Sequence, residues 1–201
     1  MLLYLVHGGA ALALGYLLGS IPFGLLLTRA AGLGDIRKIG SGNIGATNVL
    51  RTGNKKLAAA VLVLDALKGF VPVMIAQGFY GPMAGALAAL GAVLGHMFPV
   101  WLRFKGGKGY ATTLGVLWGL AWPLGVIGCA SWLVFAALFR YSSLATLTGV
   151  ALSAAASWAM LDKRAACVVT LIGVLVWIRH HENIHRLLAG IEPKIGQRAK
   201  A

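Results

Sequence analysis

Seven long apolar segments dominate the sequence, at 2–30, 57–80, 83–102, 110–122, 124–139, 144–161 and 165–178. A membrane-crossing helix needs about 20 apolar residues, and fewer when it is short or enclosed by others. Backbone exposed to lipid must satisfy its own hydrogen bonds, so such segments are helices or a closed barrel. Continuous apolar runs without period-two alternation argue against the barrel. Of 201 residues, 59% are hydrophobic and 11% charged, whereas a soluble domain carries about 25% charged residues. An ordinary soluble enzyme, a soluble binding module and a disordered chain are excluded. The expectation is an all-α integral membrane protein, one compact bundle of seven transmembrane helices forming a single domain over 1–201. The fourth and fifth segments are short and meet at Trp122-Pro123, which leaves five or six full spans as alternatives. The N-terminal run lacks a basic leader and a clear cleavage site, so it is read as a retained helix.

The charges give an orientation. Lys and Arg number 18 against 5 Asp and Glu, for a net charge of +13. Apart from Lys68, Lys163 and Arg164, the basic residues fall in 29–56, in 103–108, at Arg140 and in the tail from Arg179 to Lys200. Cytoplasmic loops carry the excess of Lys and Arg. The N-terminus is therefore placed outside and the C-terminus in the cytoplasm, which requires an odd number of spans. Topology accounts for much of the positive charge, so no nucleic-acid partner is expected. Cys129 and Cys167 lie in apolar runs and read as inert buried thiols. The pairs Gly15/Gly19, Gly91/Gly95 and Gly115/Gly119 have the spacing that lets membrane helices approach closely. No internal repeat is evident, which weakens an inverted-repeat transporter reading.

The longest polar stretches fall on one predicted side. The first, 40–51, holds Ser41, Gly42, Asn43, Thr47, Asn48 and Arg51. Its Gly-x-Gly-x-x-Gly has no strand before it, so a dinucleotide site is not implied. Glycines there can turn backbone N–H groups toward an anion; the alternative is an ordinary polar loop. The second contains Lys105-Gly106-Gly107-Lys108 before a helix predicted to start near Tyr110. It fails the Walker pattern at Leu102 and Gly109. A helix N-terminus flanked by two lysines is nevertheless a favourable place for an anion; the alternative is a basic turn obeying the topology rule. His96 reads as a structural histidine.

The third stretch runs from Arg179 to Glu192. If it is helical, His180 and Asn183 share a face, as do Arg179, Asn183 and Arg186, while Glu182 and Arg186 form an i,i+4 pair. It lacks His-Glu-x-x-His, so no metal site is expected; a lipid-binding basic tail is the alternative. Asp65 and Lys68 lie inside an apolar helix, where they are expected to partner each other, with a kink at Pro72. Residues 19–24 form a loosened point in the first helix, and Ser143 adds a hydroxyl on the cytoplasmic side. The acids are Asp35, Asp65, Asp162, Glu182 and Glu192 alone, too few for paired-acid catalysis or a carboxylate metal cage. The His-x4-Asp motif of many acyltransferases is absent.

Taken together, Ser-Gly-Asn-x-Gly-Ala-Thr-Asn-x-x-Arg at 41–51, Gly-His-x-Phe-Pro with Lys-Gly-Gly-Lys-Gly at 95–109, and His-x-x-Asn-Ile-x-Arg-Leu at 180–187 resemble the bacterial acyl-phosphate:glycerol-3-phosphate acyltransferases, the PlsY family. Gly-Ser-Ile-Pro-Phe-Gly at 19–24 and Asp-x-x-Lys-Gly at 65–69 are similar to it as well. The resemblance implies a seven-helix enzyme of the bacterial inner membrane with its active site facing the cytoplasm. It implies transfer of a fatty acyl group from acyl-phosphate to the 1-hydroxyl of glycerol 3-phosphate, giving lysophosphatidic acid and phosphate, with no cofactor or metal. It assigns Ser41, Arg51, His180 and Asn183 as catalytic. Gly42, Asn43, Thr47, Asn48, Lys105, Gly106, Gly107, Lys108 and Ser143 are assigned to substrate and phosphate binding, and Glu192 to structure. Partners implied are the two substrates, membrane lipids, and lipid-synthesis enzymes upstream and downstream. A small transporter or anion-binding membrane protein would use the same basic loops without making lipid. A structural lipid-binding protein would show no turnover.

Overall fold

The computed structural model describes residues 2–196, and the tail charges Arg198 and Lys200 lie outside the described residues. Those residues contain helices and turns and no strand. The elements are α1 (Leu2–Gly19), α2 (Phe23–Ala30), α3 (Ala46–Leu50), α4 (Lys55–Tyr80), α5 (Pro82–Met97), α6 (Tyr110–Leu120), α7 (Trp122–Phe139), α8 (Ser142–Met160), α9 (Lys163–Arg179) and α10 (His181–Leu188).

Local chemistry sets the boundaries. Pro22 has no N–H to continue the α1 ladder, so the loosened point is a true break between α1 and α2. Asn54 accepts from the Leu57 N–H at 3.0 Å and starts α4, and Asp162 accepts from Arg164 and Ala165 to start α9. Gly81, at φ +86°, makes the turn into α5, where Pro82 takes a first-turn position. α4 runs on through Pro72 as one helix.

α5 is the centre of the bundle, flanked by α1, α4, α6 and α9. Its Ala86, Ala89, Ala92 and Val93 are fully buried. The α1–α5 contact is reciprocal. A methyl on Gly15 or Gly19 would overlap the Ala88 or Ala92 carbonyl, and one on Gly91 or Gly95 would overlap that of Leu12 or Tyr16. Gly115 of α6 sits equally close to Ala66 of α4. The small-residue pairs thus do what their spacing suggested. Outward faces are apolar, with Leu133, Leu138, Val174 and Ile178 exposed. Cys167 also lies on an exposed face of α9, because its helical register points it away from the bundle; Cys129 is half-buried.

Among the described residues, five helical segments are long and apolar enough to cross a membrane, namely Val6–Ala30, Lys55–Tyr80, Pro82–Leu102, Trp122–Phe139 and Ser142–Met160. The pair α9–α10, bent by 61°, makes up to six. α6, at 11 residues, rises only about 16 Å.

The two ends of the bundle differ in chemistry. Gln77, Pro82, Leu120, Leu161 and Asp162 line a shallow cleft at one end. The polar stretches collect at the other.

Candidate active site

The first stretch is organised by one side chain. Asn48 is buried, its Oδ1 accepts from the Ser41 N–H at 3.1 Å, and its Nδ2 donates to the carbonyls of Ile36, Ile39 and Asn43 at 2.8–3.0 Å. Its amide is thus taken up by the loop. Asn43 Oδ1 accepts from the Gly45 N–H at 3.0 Å just before α3. Gly40 adopts φ +57°, and a side chain there would collide with Asn48 and the Arg51 guanidinium, which folds back over it. Gly42, at φ +68°, completes the turn, its N–H donating to Ile39 O at 3.0 Å. Ser41, Thr47 and Arg51 remain exposed. Beneath them Ile36, Ile44 and Val49 pack with Leu25 and Val61, and Leu102 of the second stretch packs against that cluster.

The second stretch folds back onto the end of α5. The N–H of Gly106 donates to Met97 O and that of Gly107 to His96 O, at 3.1 and 3.0 Å. A methyl on Gly106 would overlap the His96 carbonyl, and one on Gly107 the His96 imidazole. The carbonyls of both glycines accept from Arg179, at 3.1 and 3.3 Å, whose guanidinium also lies over the Phe98 ring at 5.5 Å. The glycine pair therefore directs its backbone groups to α5 and Arg179, and the charge of this stretch is carried by the side chains of Lys105 and Lys108. Lys105 is exposed; Lys108 is half-buried and donates to Asn183 Oδ1.

The third stretch is not one helix. α9 ends at Arg179 and α10 begins at His181, with His180 as the junction. The expected shared face of Arg179, Asn183 and Arg186 is thereby broken: Arg179 turns to the glycine loop while Asn183 turns to Lys108. The bend falls where the apolar run ends at Ile178, and the polar side chains that follow turn to the glycine loop, Lys108 and Glu192. His180 is buried, with Nδ1 2.8 Å from Val176 O, so the proton sits on Nδ1 and Nε2 carries the lone pair. Burial and the nearby Lys108 and Arg179 charges outweigh that hydrogen bond and hold its pKa down to about 4.

Glu192 closes the cluster. Its Oε1 accepts from Ser143 Oγ and Asn183 Nδ2, both at 2.6 Å, and its Oε2 from Arg186 Nε at 2.7 Å. The expected Glu182–Arg186 pair exists but is longer, at 3.9 Å. Burial alone would raise the Glu192 pKa, yet the hydrogen bonds from Ser143, Asn183 and Arg186 hold it below the ordinary carboxylate value. Burial, aided by Arg186, lowers that of Lys108.

Lys108, Arg179, Asn183, Ser143, Glu192 and His180 are thus one neighbourhood, and its cations outnumber its one inner carboxylate. Ser41 and Arg51 form a second group at the same end. Among the described residues no hydrogen bond or ion pair joins the two groups, and Leu102 is the packing link. Arg179 and Arg186 were not singled out as site residues from the sequence. Their signal in the sequence is the expected shared face with Asn183, which α10 keeps for Arg186 alone.

The family described as Glycerol-3-phosphate acyltransferase matches residues 9–190. The Glycerol-3-phosphate acyltransferase of Mesorhizobium japonicum is 62% identical over 186 residues, covering 92% of this chain and 95% of that one. That of Rhodospirillum rubrum is 58% identical over 205 residues, covering 98% and 94%. The crystal structure of PlsY, an integral membrane glycerol 3-phosphate acyltransferase, in its glycerol 3-phosphate form superposes with a TM-score of 0.90 at 39% identity, covering 94% of this chain and 96% of that one. The lysophosphatidic acid form gives 0.88 at 38% identity, covering 94% and 95%.

Proposed function

The chain belongs to the glycerol-3-phosphate acyltransferase family, and from that premise we propose that it moves a fatty acyl group from acyl-phosphate to the 1-hydroxyl of glycerol 3-phosphate. It is an integral membrane glycerol-3-phosphate acyltransferase. The products are 1-acylglycerol 3-phosphate, which is lysophosphatidic acid, and inorganic phosphate. The observation that carries this reading is the cluster of Lys108, Arg179 and Arg186 around Asn183 with Glu192 as the inner counter-charge. Both substrates bear phosphate, and a net positive cluster of side chains at a bundle end suits them.

In the reaction, the glycerol 1-oxygen bonds to the acyl carbonyl carbon, the bond from that carbon to the phosphate oxygen breaks, and phosphate leaves. The hydroxyl proton goes to the departing phosphate. Acyl-phosphate is already activated, so orientation and charge stabilisation supply the catalysis. Lys108 and Arg51 hold phosphates, Asn183 and Ser143 act with Glu192 to orient Lys108, and Asn48 shapes the Ser41 turn. His180 is the rival proton acceptor, but a pKa near 4 makes it a weak base.

The same reading has seven passes, with α1 and α2 together as one and the short α6 as another. The N-terminus lies outside, and the polar end faces the cytoplasm of a bacterial inner membrane. The acyl tail reaches the site from the bilayer.

The deciding experiment gives purified protein palmitoyl-phosphate and labelled glycerol 3-phosphate, with palmitoyl-CoA in parallel. Labelled lysophosphatidic acid is expected from the phosphate donor alone. No product from a folded preparation rejects the enzyme reading, and equal product from the thioester rejects the donor assignment.

A further inference from the structure

Three ionisable side chains lie inside the bundle and take no part in the steps above. Asp65 and Lys68 of α4 and His96 of α5 are 1%, 5% and 3% exposed. Lys68 Nζ is 2.6 Å from Asp65 Oδ1, as the sequence suggested, and it also donates to the Ile21 carbonyl at 2.8 Å. Asp65 Oδ1 is 3.9 Å from His96 Nδ1, and that nitrogen has no hydrogen-bond partner among the described residues. A buried ion pair adds little stability over apolar residues of the same shape, so its location is the informative feature.

That location is the root of the glycine loop, reached by two routes. Ile21 lies in the α1–α2 break, where its carbonyl accepts both the Phe23 N–H at 3.1 Å and the Lys68 ammonium. Beside it, Ser20 Oγ accepts from Trp101 Nε1 at 2.7 Å and Tyr16 donates to Phe98 O at 2.8 Å. The turn leading to Lys105 is therefore suspended from the end of α1. The second route is His96 itself. Its imidazole lies against Gly107, and its carbonyl accepts the Gly107 N–H.

We propose that Lys68 and Asp65, acting through the α1–α2 break and through His96, are positioning residues that set the 105–109 loop, and with it Lys108, for the substrate phosphate. This rests on the reading of that loop as a phosphate site. The pair touches no reacting atom. It fixes where a charge is presented, and a displacement of about 1 Å in such a group is enough to lower rates substantially.

The test separates positioning from stability. Lys68→Met alone leaves Asp65 unpaired and is expected to misfold. Asp65→Leu/Lys68→Met removes both charges and is expected to melt in detergent near the parent temperature. Its KM for glycerol 3-phosphate is expected to rise about tenfold while kcat stays within about threefold. Lys68→Arg, which keeps charge and donor, is expected to hold KM within about threefold of the parent. Trp101→Phe breaks the link to Ser20 at the exposed rim without touching the core, and is expected to raise KM about threefold. Parental KM in the double variant or in Trp101→Phe overturns the proposal, as does a loss confined to kcat. If the double variant does not fold, Trp101→Phe alone decides. Calorimetric titration with glycerol 3-phosphate reads the same shift without turnover, so failure of the acyl-transfer reading is seen separately, as lysophosphatidic acid missing from the parent protein.

Discussion

Asn183 donates through Nδ2 to Glu192 Oε1 at 2.6 Å, and this fixes the other end of the same amide, Oδ1, on the ammonium of Lys108. One side chain thus links the counter-charge of the site to its most enclosed cation. Asn183→Leu removes both contacts in a shape of similar size. Turnover with palmitoyl-phosphate is expected to fall about 100-fold in kcat/KM, measured with labelled glycerol 3-phosphate. A change of less than about threefold would remove Asn183 from the site.

Glu192 gives a stability prediction with a definite sign. Its hydrogen bonds hold the folded pKa below the ordinary 4.5. A depressed carboxylate stabilises the fold fully above its unfolded pKa, and that contribution is lost as pH falls through the folded value. Glu192→Gln should therefore melt several degrees lower than the parent at pH 7, and the gap should shrink below about pH 4.5. A gap that is constant with pH in detergent melting curves would show that the carboxylate charge is not what holds Ser143, Asn183 and Arg186 together.

Lys108 and Arg51 test the phosphate assignment from the two halves of the site. Lys108→Met and Arg51→Ala are each expected to raise KM for glycerol 3-phosphate by about 10- to 100-fold. Lys108→Arg should not restore it, because a planar guanidinium cannot replace a compact ammonium between Asn183 and the loop. Parental kinetics in either truncation would place that residue outside the pocket.

Much of this arrangement was legible in the sequence, and the exceptions share a cause. Apolar runs located the helices because lipid imposes one solution on the backbone. The spacing of Gly15/Gly19 and Gly91/Gly95 anticipated the α1–α5 contact because close approach has a local requirement, the missing side chain. The pairing of Asp65 with Lys68 was equally local, three residues apart on one helix. Tertiary choices left no such mark. The bend at His180 lies where the apolar pattern stops and no periodicity records an axis change. Asn48 reads as a donor for substrate until Ile36, Ile39 and Asn43 are brought around it. Arg179 finds the Gly106 and Gly107 carbonyls more than seventy residues away in sequence.

His180 yields a prediction about proton transfer. With its pKa held near 4, it stays neutral through the physiological range. An inflection in kcat/KM near pH 6 would then follow the second ionisation of substrate phosphate, about 6, and it should persist in His180→Gln. Loss of that inflection in the variant would identify His180 as the titrating group. A companion measurement concerns Ser41, which is exposed and whose hydroxyl has no base hydrogen-bonded to it among the described residues. Ser41→Ala is expected to keep measurable turnover, and mass spectrometry of enzyme quenched with palmitoyl-phosphate should show no added acyl group. An acyl adduct on Ser41, lost in Ser41→Ala, would replace direct transfer with a covalent route.

Gly107 offers the sharpest packing test of the site, because the obstacle it faces is a ring. A methyl group there would overlap Nε2 of His96, whose imidazole is buried and has no flexible end to swing aside. The Gly107 N–H and carbonyl are meanwhile held by His96 O and Arg179, so the loop can relieve the overlap only by moving away from α5 and carrying Lys108 with it. Gly107→Ala should leave the helices assembled, since the clash is confined to the loop, and should lower kcat/KM about 100-fold. Gly32 is the control: it lies at φ +72° with open space around it, so alanine there meets backbone strain but no neighbour. Gly32→Ala is expected to retain activity within about threefold. Comparable activity in the two variants would mean that the seat of the loop on His96 does not govern the site.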